Sequence, residues 1–163
     1  MKLAISAVAA SMYLCSVAPL AAQQGQQAAK AAETPRAELK MFHLYADAGG
    51  VTRLERMEVP LDAKSGRANH LPATGNVQFA RFAASMDSGW HNTDARKYLV
   101  VLSGAGFSIE VRDGTKVNFP PGSILLADDM KGNGHWTRAL GGDTMVMYVT
   151  VDTSKEVSSS AAR

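Results

Sequence analysis

His91 and His135 stand near the two ends of one stretch, residues 90–138, that reads WHNTDARKYLVVLSGAGFSIEVRDGTKVNFPPGSILLADDMKGNGHWTR. Imidazole is the side chain best suited to proton transfer and metal ligation near neutral pH. Two imidazoles so far apart in sequence can meet only if the strands between them fold back on one another. Cations gather in the same region. Lys97, with Arg81 or Arg96, would attract a carboxylate or phosphate if it faced a cavity. A buried lysine also has a lowered pKa and can act as a general base. The competing reading leaves Arg96 and Lys97 as solvated charges at a strand entry. Trp90 and Tyr98 are large enough to wall such a cavity, although aromatics at strand spacing also serve as plain core.

Other chemistries leave no trace. The chain has no Gly-x-Ser-x-Gly elbow, no glycine loop ending in Lys-Ser/Thr and no paired cysteines. Gly104-Ala105-Gly106 is a hairpin turn between strands and not a dinucleotide fingerprint, since no helix follows it. The formal net charge is +2 with basic residues scattered, which excludes the basic face that nucleic acid requires. His43 in a strand and His70 in a loop read as structural or solvent-exposed.

The elements that must position these residues are short strands. Apolar runs or alternation mark residues 39–45, 51–59, 77–83, 98–102, 107–111, 124–127 and 144–151. Asp113-Gly114 between Val111 and Val117 is a strong hairpin turn. Residues 64–75 read as loop, and no long helix or internal repeat is visible. Regular short strands with turn residues between them predict a sandwich or barrel.

The ends of the chain read differently. Lys2, an apolar run over residues 3–17 and then Pro19 to Ala22 follow the order of a secretory signal peptide, residues 1–22. The run is shorter than the roughly 20 residues of a membrane span, so no stable membrane anchor is expected after cleavage. Residues 23–38, rich in Gln and Ala, read as a flexible linker, residues 39–152 as the barrel domain and residues 153–163 as a disordered tail. The single cysteine, Cys15, falls inside the signal. A mature chain without cysteine suits a bacterial periplasm, so a periplasmic or secreted protein is predicted.

The spacing of the central stretch resembles the cupin superfamily. Its first motif would place the leading histidine at His91 and the closing glycine at Gly104. Its second motif would begin at Gly114 and run, five residues on, through Pro120-Pro121-Gly122. The resemblance implies an all-β fold, a cupin-type double-stranded β-helix or jelly-roll barrel, and a homodimer. It also implies a divalent metal, but the ligand positions depart from the pattern. The second histidine falls on Thr93, the glutamate on Lys97, the later histidine on Leu125 and the asparagine on Asp129. One donor set remains open: a turn through Gly132-Asn133-Gly134 could aim His135 at His91, with Asp129 or Asp128 completing a two-histidine, one-carboxylate site for non-haem iron. The alternative is that His135 caps its loop.

The expected activity is binding of a small polar or anionic molecule, a carboxylate or phosphate, in the barrel mouth, with no cofactor or a divalent metal. The pocket candidates are Arg81, Trp90, His91, Arg96, Lys97, Tyr98 and His135; the metal candidates are His91, His135 and Asp129. Two rivals stand beside it. One is a metal-dependent enzyme of the oxygenase, isomerase or lyase kind. The other is a structural or interaction module, its interior filled by Phe79, Leu99, Val101, Leu125 and Met147.

Overall fold

A computed structural model describes residues 38–62, 64–68 and 71–155. The sequence-predicted signal peptide, His70, residues 23–37 of the linker and residues 156–163 of the tail lie outside the described residues. Every regular element among those described is a strand: β1 (Glu38–Ala46), β2 (Thr52–Pro60), β3 (Ala73–Phe82), β4 (Asp87–His91), β5 (Lys97–Gly104), β6 (Phe107–Val111), β7 (Lys116–Phe119), β8 (Ile124–Asp128), β9 (His135–Ala139) and β10 (Thr144–Val151).

They form two sheets. The larger has the order β2-β1-β8-β5-β10-β3, and the smaller has the order β4-β9-β6-β7. All pairings are antiparallel except β1 with β8, which run parallel with Phe42 opposite Leu125. The Asp113-Gly114 turn joins β6 to β7, with the Val111 amide on the Thr115 carbonyl at 3.0 Å. β3 starts at Ala73, earlier than alternation alone indicates, because Val151 pairs back to Ala73 across a bulge in β10.

Period-2 alternation decides what each sheet buries. Leu44, Leu54, Leu99, Val101, Leu125, Ala127 and Val146 of the large sheet meet Phe107, Ile109, Val111 and Phe119 of the small one. The Phe107 and Phe119 rings stack at 5.2 Å with Phe42 edge-on to Phe119. The large sheet is apolar on its other face as well. Met41, Met57, Val59, Leu126 and Val151 form a second cluster there, joined by Tyr98, Ala68 and Leu71.

Two glycines make the sheets close. Gly104 ends β5 at φ 100°, and a Cβ there would stand 2.0 Å from the Asp143 carbonyl oxygen. Gly134 has φ 88°, and its Cβ would fall 2.9 Å from the His91 carbonyl oxygen. Only glycine lets the chain enter β9 so close to β4.

Candidate functional site

The register of β4 against β9 builds the site. Trp90 lies opposite Trp136, and His91 opposite His135. Neighbours in a strand face opposite ways, so the two tryptophans occupy the outer face and the two histidines the inner one. The imidazole centroids are 4.3 Å apart with planes inclined at 53°. His135 is the first residue of β9 and not a loop cap. Its turn is fastened to the start of β2, where Thr52 Oγ1 accepts from the Gly134 amide at 3.0 Å and Asn133 Oδ1 accepts from the Thr52 amide at 2.9 Å.

Both rings are held by Nδ1. His135 Nδ1 lies 2.7 Å from Asp129 Oδ2, and Asp129 Oδ1 accepts from the Thr93 amide at 3.1 Å. Asp129 is fully buried. His91 Nδ1 lies 3.0 Å from the Gly89 carbonyl oxygen and 3.1 Å from Ser88 Oγ. A carboxylate and a carbonyl can only accept, so each neutral imidazole carries its proton on Nδ1. Each then presents an unprotonated Nε2 as its remaining polar atom. Asn92 completes the frame, its amide nitrogen donating to the Asp129 and Gly132 carbonyls at 2.7 and 2.8 Å.

The histidines open on a cavity of about 300 Å³ between the two sheets. Ser88, Thr93, Asp94 and Lys97 share its polar side, while Phe82, Leu99, Phe107 and Leu125 form an apolar floor, and Tyr148 lines it between them. The Lys97 ammonium pairs with the exposed Asp94 carboxylate and lies 5.1 Å from the centre of the Tyr148 ring. Lys97 holds the Asp94 carboxyl below the usual range, chiefly through their hydrogen bond. Burial, with a smaller push from the Asp94 charge, raises the Tyr148 phenol to about 12. Tyr148 therefore stays a neutral hydroxyl in the cavity at all ordinary pH.

Of the sequence-predicted pocket residues, the structure brings His91, Lys97 and His135 together and leaves four elsewhere. Arg96 and Tyr98 flank Lys97, and alternation sends them to the opposite face. Arg96 Nη2 pairs with Asp128 at 2.8 Å, and its Nη1 donates to the Asp152 and Lys155 carbonyls at 3.2 and 2.6 Å. Tyr98 joins the second apolar cluster, where burial pushes its phenol to about 12. Arg81 is exposed on β3 and pairs with Asp143 at 2.6 Å. Trp90 lies on the outer face, with the Arg112 guanidinium 3.8 Å from its ring centre. Phe79 is 66% exposed and faces away from the interior, as does Met147 opposite it in register, which leaves the cavity open. Tyr148, Ser88 and Asn92 were not expected in the site. Tyr148 is legible only once β10 is paired with β5, where it lies opposite Leu99.

The two-histidine, one-carboxylate metal set is not assembled. Asp129 stands behind His135, on Nδ1, and not beside its free nitrogen. Among the described residues no three His, Cys, Asp or Glu side chains converge as a metal site. The position where the motif would place a glutamate holds the Lys97 ammonium, which repels a divalent ion at close range. These residues do not fit the resident metal that the cupin resemblance implies.

The architecture is an all-β fold of two facing sheets around one core. It rests on the strand order and register given above. No protein-family model and no curated protein matches the chain. Two solved structures similar to it are protein NMB1881 from Neisseria meningitidis and a cupin domain, bp2299, from Bordetella pertussis. The first is 20% identical with a TM-score of 0.38, covering 49% of this chain and 79% of that one. The second is 15% identical with a TM-score of 0.38, covering 47% and 80%.

Proposed function

We propose that this cupin-type barrel binds a small organic anion, with a carboxylate or phosphate at the Lys97 side and its apolar part on the floor formed by Phe82, Leu99 and Leu125. One observation carries the reading: His91, His135, Lys97 and Tyr148 line the same cavity as the apolar side chains of Phe82, Leu99, Phe107 and Leu125. Few polar groups over an apolar floor are the usual make-up of a ligand site. The Lys97 side chain is only 17% exposed while Asp94 is 82% exposed. The carboxylate of a ligand can therefore displace Asp94 into water without leaving Lys97 unpaired. Binding is the activity these residues support, and the misfit of the donor set favours no metal-dependent step.

Hexanoate is a suitable probe. It is expected to raise the melting temperature of the wild-type chain, and Lys97→Met is expected to abolish the shift while keeping the fold. If neither hexanoate nor hexyl phosphate shifts the wild-type melting curve, the reading fails. Two further parts of it concern the whole protein. Export to the periplasm or outside the cell is supported by the order of residues 1–22. A homodimer is supported by β3, a ten-residue edge strand paired only with β10, whose Val77 and Phe79 are 52% and 66% exposed.

A further inference from the structure

Anion binding accounts for Lys97 but not for the histidines. With both Nδ1–H groups committed, to Asp129 and to the Gly89 carbonyl, the neutral rings leave two acceptors at the cavity, His91 Nε2 and His135 Nε2, on imidazoles whose centres are 4.3 Å apart. A carboxylate cannot satisfy them, because it is an acceptor too. Their frame is elaborate for a pair of idle rings. Asp129 is fully buried behind His135, is itself held by the Thr93 amide, and has its backbone carbonyl capped by Asn92. Ser88, Asn92, Thr93 and Asp94 along the wall already have partners within the protein, so the groups left to meet a ligand include the Lys97 cation, the neutral Tyr148 hydroxyl and the imidazole lone pairs.

We propose that the site selects a hydroxy acid: an organic anion whose carboxylate reaches Lys97 and whose adjacent hydroxyl donates its hydrogen to an imidazole Nε2. This rests on the reading of the cavity as an anion site and narrows it to one substrate class. A plain fatty acid would offer neither imidazole acceptor a hydrogen bond, and its chain would displace water from the buried His135. A 2-oxo acid would set a third acceptor against them. Buried groups left unpaired are what make such discrimination steep.

The test compares three probes of equal length on the full chain by calorimetric titration: 2-hydroxyhexanoate, hexanoate and 2-oxohexanoate. The hydroxy acid is expected to bind at least about tenfold more tightly than either of the others, roughly one well-made hydrogen bond. In His135→Phe that preference is expected to vanish while hexanoate binding persists. His91→Phe, at an exposed position, makes the same comparison if the buried variant does not fold, and it is expected to weaken the preference. Long-range 15N–1H correlation is expected to show both rings in the Nδ1–H form. Equal affinity for the three acids overturns the inference and leaves the anion reading standing. A hydroxyl preference that survives both substitutions, or imidazoles found protonated on Nε2 alone, overturns it as well. Failure of all three probes to bind overturns both.

Discussion

Asp129 has no exposed surface and commits both oxygens, one to His135 Nδ1 and one to the Thr93 amide. Replacing it with alanine strands two donors, the buried His135 ring and the part-buried Thr93 amide. Asp129→Ala is expected to cost about 2–4 kcal/mol of stability in urea denaturation, and a loss under about 1 kcal/mol would show the contact to be dispensable. A carboxylate with a resolvable pH response lies one residue away on the opposite face. Burial pushes the Asp128 carboxyl up, but His43 at 3.8 Å and the Arg96 guanidinium at 2.8 Å together outweigh it, and the net shift is downward. At 3.8 Å His43 Nε2 is beyond hydrogen-bond reach of Asp128, so Arg96 is the directly bonded partner. A lowered folded pKa stabilises the fold above the unfolded value of about 3.9 and is lost as pH falls through the folded value. Arg96→Met is therefore expected to be less stable than wild type at neutral pH and to lose less on acidification below about pH 4, as read from melting temperature against pH.

β4 and β9 carry the site, and each is only five residues long. Their meeting depends on Gly134, which enters β9 at φ 88° under the His91 carbonyl. Gly114 has nearly the same backbone conformation, φ 89°, but nothing within 4 Å of its missing Cβ. Gly114→Ala is expected to cost about 1–2 kcal/mol from the left-handed conformation alone. Gly134→Ala is expected to cost more and to weaken hexanoate binding, which Gly114→Ala leaves unchanged; equal losses on both counts would refute this account of the site. The same two strands mark where reading the sequence stops. The long apolar runs and the Asp113-Gly114 turn were legible because alternation over several residues, or a turn that demands left-handed conformation, leaves a local pattern. HWTRA is too short to show a period, so His135 reads as loop. Arg96, Lys97 and Tyr98 were all candidates, because which of three neighbours faces inward depends on register against β8 and β10, and a slip of one residue exchanges the faces. Asp129 was legible as a histidine's companion but not as its support, since that distinction lies in which ring nitrogen it meets.

At the scale of the whole molecule, the large sheet is apolar on both faces and open at β3. That edge, ATGNVQFARF, contains neither lysine nor proline, the residues that commonly protect an edge strand from pairing. Phe79→Lys is expected to shift the protein from dimer to monomer in sedimentation, with the hexanoate response retained; a wild-type chain that sediments as a monomer at high concentration would remove the dimer from the proposal. The opposite half of the sheet imposes an order on assembly. β1 lies between its sequence neighbour β2 and the distant β8, which it meets in parallel, so Phe42 waits for Leu125. Contacts that span so much chain are slow to form. Until residue 128 is available, β1 and β5 each keep a vacant side that only β8 can occupy. A nascent or truncated chain ending before β8 thus has the β1–β2 hairpin open on one side and β5 with neither of its neighbours, and such a fragment would present unpaired strand edges to any other chain it met.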